Sequence, residues 1–328
     1  MKKQFGISVV VTILNESQTI ELLLQSLVSQ TLLPHEIVIV DGGSKDDSLE
    51  KTHQFAQKFL QIQWQIFQKK GNRSVGRNAG ITRATHPLIA ITDAGCVPHS
   101  DWLFELSRAA ELHLKILDGQ LQPFALAGYY SSRAGSALEE AIVPYVLVMP
   151  DKLNPDDFLP ATRSMLLTKT AWKAAGKFDE ELEDNEDYAF AHALRNAGVA
   201  MAFTAQAKVD WLPRNSLKSF GWMIFRFARG DAFAGIWRKK VWLLFLRYLL
   251  VILWTILLLS LLLVRVAVLI DATCLGLYVG WAVAKNQKYA PRGWCWLPIL
   301  QLIADIAVIT GSIIGWVRRQ RRPDKNRV

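Results

Sequence analysis

Cysteine is scarce in this chain, with three in 328 residues (Cys96, Cys274 and Cys295) and no C-x-x-C pair among them. That set excludes a disulfide framework and a cysteine-based zinc site, and it fits a soluble portion working in a reducing cytosol. Acidic residues are the minority charge, 29 against 38 Lys and Arg, for a formal net charge of +9. The excess clusters beside apolar stretches: Arg238, Lys239 and Lys240 precede one, and Arg318, Arg319, Arg321, Arg322, Lys325 and Arg327 follow another. Basic flanks of this kind are expected to face anionic lipid on the cytoplasmic side, and no nucleic-acid partner is expected. Internal repeats and low-complexity tracts are missing. A secretory leader is not expected either. The opening MKKQFGISVVVTILNES has lysines and an apolar run, but Asn15-Glu16 interrupts it and no small-residue cleavage site follows. It reads as a first buried strand.

Long apolar runs are confined to the last third, where the composition changes near residue 240. From Trp242 to Val264 the sequence is almost uninterrupted Leu, Ile, Val and Trp, with Arg247 the only charge. About 20 such residues span a hydrocarbon core. Further stretches follow at 266–284 and 297–317, the first two separated only by Arg265. If the soluble part and the basic tail share the cytosolic side, the number of crossings is even, so three candidates conflict with the positive-inside rule. Either one stretch is re-entrant or interfacial, or the tail lies outside. Gln301 and Asp305 in the last stretch are expected to face protein rather than lipid.

The first hundred residues alternate strand and helix signals. Ile7 to Leu14 is a continuous, β-branched run, as in a strand covered on both faces. Ile20, Leu23, Leu24, Leu27 and Val28 then keep the spacing of an amphipathic helix. EIVIVDGGSKDDS is a second buried strand ending on Asp41, Leu49 to Leu60 a helix, and QIQWQIF an alternating strand near the sheet edge. Arg77 to Ala84 suits a helix, and PLIAITD is a buried strand ending on Asp93. Such alternation implies a mainly parallel sheet with right-handed crossovers, in which ligands bind beyond the carboxyl ends of the strands. Asp41 and Asp93 both stand at such ends. From about Asp118 the pattern loosens: LAGYYSS reads as a strand, 137–158 as a helix or loop insertion, and 162–182 as a strand followed by a helix.

Five segments in order, SVVVTILNES, EIVIVDGGSKDDS, GRNAGITRATHPLIAITDAGC, GKFDEEL and NEDYAFAHALRNAG, resemble the glycosyltransferase family 2 enzymes over about residues 1–235. The resemblance implies the GT-A fold, a Rossmann-like α/β arrangement of a mainly parallel sheet with flanking helices, followed here by a C-terminal α-helical membrane region. It implies that Thr12, Leu14 and Glu16 cradle the base and ribose of a nucleotide-sugar donor, although Asn15 and Ser17 also suit a helix cap. Asp41 is similar to the acid that contacts the nucleobase, with Gly42, Gly43 and Ser44 permitting close backbone approach; an Asp opening a turn is also a common structural device. Arg77 starts a helix beside the site and is expected to meet base or phosphate, or else solvent. Asp93 matches the metal and diphosphate residue, but the usual second acid of the triplet is Gly95 here. A divalent cation, Mg²⁺ or Mn²⁺, would then depend on phosphate and water for its other ligands. Asp187 matches the catalytic base, with Glu186 as neighbour and Asp184 as substitute, unless Asp187 serves only to complement a helix dipole.

The expected function is an inverting transfer of one sugar from a nucleotide-diphosphate sugar to a hydroxyl acceptor, lipid-linked or membrane-proximal, as in cell-envelope or polysaccharide biosynthesis. The expected domains are a transferase domain at 1–235 and a membrane region at 236–328, with the enzyme a multi-pass protein of the inner membrane and its catalytic domain cytoplasmic. FRFARGDAFAG (225–235) lacks the Gln-x-x-Arg-Trp motif of processive relatives. Arg229-Gly230-Asp231 in it reads as approaching the diphosphate or the acceptor, and equally as part of a basic interfacial helix with Trp222, Phe225 and Trp237 facing lipid headgroups. Two rivals stand beside this reading. A sugar-phosphate nucleotidyltransferase would carry a Gly-rich loop with Arg and Lys on the first strand, which VVVTILNES lacks. A non-catalytic membrane scaffold fits Gly95 but not the retention of Asp41, Asp93 and Asp187.

Overall fold

The computed structural model describes residues 5–117, 119–260 and 264–321. Arg322, Lys325 and Arg327 of the basic tail lie outside them. The first elements are β1 (Ile7–Ile13), α1 (Ile20–Val28), β2 (Glu36–Asp41), α2 (Ser48–Ala56), β3 (Gln63–Gln68), α3 (Arg73–Arg83), β4 (Leu88–Ile91), β5 (Cys96–Pro98) and α4 (Trp102–Glu111). A short pair follows, β6 (Ile116–Leu117) and β7 (Gln120–Leu121), then β8 (Phe124–Ser132), α5 (Ala137–Val146), β9 (Met165–Thr168), α6 (Lys169–Ala174), α7 (Glu186–Asn196) and β10 (Ala200–Trp211). The remaining helices are α8 (Leu217–Ala234), α9 (Lys239–Ser260), α10 (Val264–Asn286) and α11 (Leu297–Gln320).

Eight strands form one sheet in the order β3-β2-β1-β4-β9-β8-β10-β5. β3, β2, β1 and β4 are parallel, as the alternation with helices requires, and β3 stands at the edge its polar alternation predicts. β9 runs antiparallel to both β4 and β8, while β10 is parallel to β8. β5 and β10, which carry no clear sequence signal, complete the far edge.

Central strands are sealed on both faces: Val9, Val10, Val11, Ile37, Val38 and Ile39 are buried, which is why their sequences run apolar without alternation. The polar residues among them are paired. The Glu36 carboxylate accepts from the Ser8 hydroxyl, from Gln65 Nε2 at 2.5 Å and from the Thr85 amide at 2.9 Å. Helix α3 lies close against β1 and β2, because a Cβ on Gly80 would come within 2.6 Å of Val10 Cγ1. That closeness sets Arg77, on the same helix, at the strand ends.

The chain divides into two compact units. The first comprises Met1–Arg133 and Val148–Leu212, and the second Ala134–Leu147 and Pro213–Val328. Helix α8, which the sequence reading grouped with the sheet, packs instead against α11. Its small residues explain why: a Cβ on Gly311 would stand 2.5 Å from the Phe225 carbonyl, and one on Gly315 2.2 Å from that of Arg229. Gly315→Leu is therefore expected to destabilise the second unit by about 1–3 kcal/mol through overpacking, read as a lower melting temperature in detergent.

Among the described residues, three helices are long and apolar enough to cross a membrane, and they fall on the three stretches read from the sequence. Gln301 and Asp305 are buried in protein as expected. Asp305 accepts from Arg247 and, at 3.1 and 2.9 Å, from the hydroxyls of Tyr248 and Tyr278, while Gln301 Nε2 donates to its other oxygen at 2.8 Å. This network ties α9, α10 and α11 together.

Candidate active site at the strand ends

Beyond the ends of β1 and β2, two loops are laced together. Asn15 stands in the left-handed region (φ 55°), its amide donating to Ser44 Oγ at 2.9 Å and its side-chain oxygen accepting from the Lys45 amide at 2.8 Å. The Glu16 amide donates to Ser48 Oγ at 2.7 Å, and the Ser17 amide to Asp46 at 3.1 Å. Asn15 and Ser17 thus serve to join loops, and neither side chain caps α1. Ser48 and the Ser17 amide also hold the Asp46 carboxyl down to about 2.

Asp41 is fully buried, and its oxygens accept from the amides of Gly43 and Ser44 at 3.1 Å, from Ser44 Oγ at 2.5 Å and from Gln68 Nε2 at 2.9 Å. Burial would raise its carboxyl, yet these donors pull it below the usual carboxylate range. The carboxylate thus shapes the turn in this structure, with Gly43 at φ 104°, a conformation only glycine adopts at low cost. Thr12 lies half-buried at the end of β1, Leu14 is exposed just past it, and Glu16 accepts from the Thr19 hydroxyl at 2.9 Å.

A second cluster lies at the end of β4. Asn72 caps α3, accepting from the Val75 amide at 3.1 Å, so the helix begins a turn ahead of Arg77 and buries that residue. Arg77 is 2% exposed and its guanidinium forks. Nη1 donates to Glu186 Oε1 at 2.5 Å, while Nη2 donates to Asp93 Oδ1 and Thr162 Oγ1, both at 2.9 Å. The expected helix start at Arg77 is corrected, since α3 begins at Arg73 and Arg77 lies a turn inside it, where these three bonds all go to protein. Burial works against its charge, but Glu186, Asp93 and Asp187 hold it above its ordinary value.

Glu186 and Asp187 open α7 directly after Asn185, another residue in the left-handed region (φ 50°). That strained corner splits the two acids. Glu186 turns inward to Arg77 and is buried, with Oε2 lacking a hydrogen-bond partner among the described residues. Asp187 stays half-buried. Burial, and then the neighbouring Glu186, raise the Asp187 carboxyl, against the pull of Arg163 and Arg77. Asp184, the substitute acid, is buried.

Arg163 was missed by sequence reasoning. Its guanidinium lies 5.4 Å from the Tyr130 ring and 5.8 Å from that of Trp211, and its charge acts on both Asp93 and Asp187. Arg163 and Thr162 precede β9, which is antiparallel, so the start of that strand reaches the edge where β4 ends: Ile91 pairs with Met165. A rule that looks only beyond the carboxyl ends of strands passes over them.

The structure thus brings Arg77, Asp93, Glu186 and Asp187 into one cluster and gathers Thr12, Leu14, Glu16, Asp41 and Gly43 around the neighbouring loops. Among the described residues, no group of three His, Cys, Asp or Glu could hold a metal ion. Asp93 offers one carboxylate, already paired with Arg77 and drawn below its usual range by Arg77, Arg73 and Arg163 against the opposing effect of burial. These donors do not make a protein-only cation site.

Residues 8–160 match the family model described as Glycosyl transferase family 2. The segment is a glycosyl transferase family 2 domain. The glycosyltransferase AglE of Haloferax volcanii is 30% identical over 99 residues, 30% of this chain and 33% of that protein. The succinoglycan biosynthesis protein ExoA of Rhizobium meliloti is 27% identical over 237 residues, 68% of each chain. The chain spans a third or less of the length of the first four curated relatives it matches. Among solved structures, the mannosyltransferase PcManGT from Pyrobaculum calidifontis, in complex with GDP-Man and Mn²⁺, superposes with a TM-score of 0.58 at 15% identity, covering 94% of this chain and 88% of that one. That likeness supports the GT-A-like fold of the family 2 domain, with its mainly parallel sheet followed by a helical region.

Proposed function

We propose that the chain is a membrane-anchored, inverting glycosyltransferase that moves one sugar from a nucleoside-diphosphate sugar to a hydroxyl acceptor, lipid-linked or membrane-proximal. The observation that carries this reading is Asp187, a half-buried carboxylate raised by burial, beside Arg77, Arg163 and Asp93 at the ligand edge of a family 2 domain. A general base works best when its pKa approaches the working pH. Asp187 takes the proton of the acceptor hydroxyl, and the hydroxyl oxygen bonds to the anomeric carbon. The bond from that carbon to the diphosphate breaks on the opposite face, and its electron pair leaves with the nucleoside diphosphate. The guanidinium of Arg163 meets the charge that grows on the leaving group. Arg77, occupied by Glu186, Asp93 and Thr162, fixes the positions of both acids. The loops holding Thr12, Leu14, Glu16, Asp41 and Gly43 form the wall for base and ribose. The apolar helices and their basic flanks support residence in the inner membrane with the transferase domain, about 1–235, in the cytoplasm.

Purified protein given a panel of nucleotide sugars and membrane-lipid acceptors is expected to release nucleoside diphosphate. Pyrophosphate made from nucleoside triphosphate and sugar phosphate, or no release and no nucleotide binding, would overturn the proposal.

Gly95 offers a sharper test of charge compensation. A Cβ there meets nothing within 4 Å, so Gly95→Asp restores a second acid without displacing a neighbour. In the native chain, calorimetric titration is expected to show nucleoside diphosphate binding that survives EDTA. In Gly95→Asp, Mn²⁺ is expected to tighten that binding by about tenfold, roughly 1.4 kcal/mol.

A further inference from the structure

Three helices among the described residues have spanning length, yet the end of the third returns to the start of the first. Helices α8 and α11 run side by side in the same direction. A Cβ on Gly221 would meet Ile303 at 2.8 Å, one on Gly311 would meet the Phe225 carbonyl, and one on Gly315 the Arg229 carbonyl. Next along, Arg319 Nη1 donates to the Phe233 carbonyl at 3.3 Å, and the Arg319 guanidinium lies against Gly235. The contacts advance together along both helices, so α8 lines α11 over most of its length.

Two consequences follow for a bilayer. First, α8 carries Lys218, Arg226, Arg229 and Asp231 within 18 residues. A charged side chain costs about 2.5–3.5 kcal/mol or more at the membrane centre. A crossing α11 would drag this charged companion through the hydrocarbon. Second, α9 begins at Lys239, four residues after the Gly235 that Arg319 touches. Three crossings would put Arg319 and the start of α9 on opposite faces, about 30 Å apart. Hydrogen-bond contact between Arg319 and Phe233 forbids that separation.

Helices α9 and α10 differ from α11 in the same sense. Only 6% of the apolar window in each is buried in protein, against 44% in α11. At about 1.5 Å per residue each is roughly 33 Å long, enough for a hydrocarbon core. They touch each other through Thr255 Oγ1 and Asp271, 3.3 Å apart. Arg265 lies exposed in the first turn of α10, where a full crossing carries it to the far headgroups. Stacked Trp237 and Trp242, with centroids 5.0 Å apart, mark the near interface. We propose, building on the membrane residence inferred above, that α9 and α10 cross the bilayer as a hairpin while α11 stays with α8 on the side it started from. Two crossings also remove the conflict with the positive-inside rule, because Lys239, Lys240, Arg318 and Arg319 then share one face.

Single cysteines at Lys239, Ser260 and Arg321, all exposed positions, test this in a full-length chain with Cys274→Ala and Cys295→Ser. Right-side-out and inside-out vesicles are treated with a membrane-impermeant maleimide, and a carbonate wash checks insertion. Lys239→Cys and Arg321→Cys are expected to react in the same vesicle type, and Ser260→Cys in the other. Reaction of Arg321→Cys together with Ser260→Cys overturns the hairpin in favour of three crossings. Reaction of all three from one side overturns it in favour of surface binding, and release of the chain by carbonate overturns membrane residence itself. Reporter fusions after Ser260 and after Val328 of the unsubstituted chain give the same reading without cysteine changes, with opposite sides expected and a shared side contradicting the hairpin.

Discussion

Asp187→Asn is expected to lower the rate of sugar transfer by about 10²–10⁴-fold, the usual contribution of a positioned general base. Asn keeps the shape of the side chain but cannot take the acceptor proton. Nucleoside diphosphate binding should persist in the variant, because the loops around Asp41 are unchanged. The pH profile supplies a second readout. Burial, then Glu186, raises the Asp187 carboxyl, so the protonated and inactive form persists to higher pH than in an ordinary aspartate. Activity of the native chain should therefore fall as pH drops through that raised value, with the acid limb above the normal range for Asp. The linkage to stability has the opposite sense. A carboxyl raised by folding adds stability at low pH, and the contribution is lost as pH climbs through the folded value. The residual activity of Asp187→Asn should lack the limb. Full turnover in that variant would remove Asp187 from the mechanism.

Arg77→Met is expected to destabilise the first unit by about 3–5 kcal/mol, the cost of leaving a buried ionic partner alone. The guanidinium is 2% exposed and so is Glu186, whose other ion-pair partner among the described residues is Arg73 at 3.9 Å. For a unit of this size the midpoint of thermal denaturation should fall by roughly 10 °C. A solvated surface arginine would change stability by less than about 0.5 kcal/mol, so the two outcomes separate cleanly. Arg77→Lys keeps the charge but loses the fork that serves Glu186 and Asp93 together, and should fall between. Pairing Arg77→Met with Glu186→Gln should recover part of the loss, because it removes the stranded carboxylate.

Much of the fold was legible because buried parallel strands announce themselves. Ile7–Ile13, Glu36–Asp41 and Leu88–Ile91 are short apolar runs bounded by turn residues, and their order with helices dictates parallel pairing. The strand-end acids were legible for the same reason. Their partners were not. That Asp41 is engaged by Gly43, Ser44 and Gln68 depends on a turn and on a neighbouring strand 27 residues away. That Arg77 binds Glu186 depends on a contact spanning 109 residues, and no local pattern encodes it. Arg163 was invisible because antiparallel β9 presents its beginning, rather than its end, to the site.

The sequence by itself determined the strand-helix alternation, the family likeness, the acids at Asp41, Asp93 and Asp187, and three stretches long enough to cross a membrane. These follow from period, composition and chain order, all of which are local properties. Tertiary structure alone decided which of two adjacent acids faces inward, through the left-handed Asn185 and the buried Arg77. It also decided what a long apolar helix packs against. Hydropathy ranks α11 beside α9 and α10, but the approach of Gly311 and Gly315 to α8 covers one face of it. Hydropathy measures what a segment would gain by leaving water, whereas packing fixes whether protein or lipid receives it.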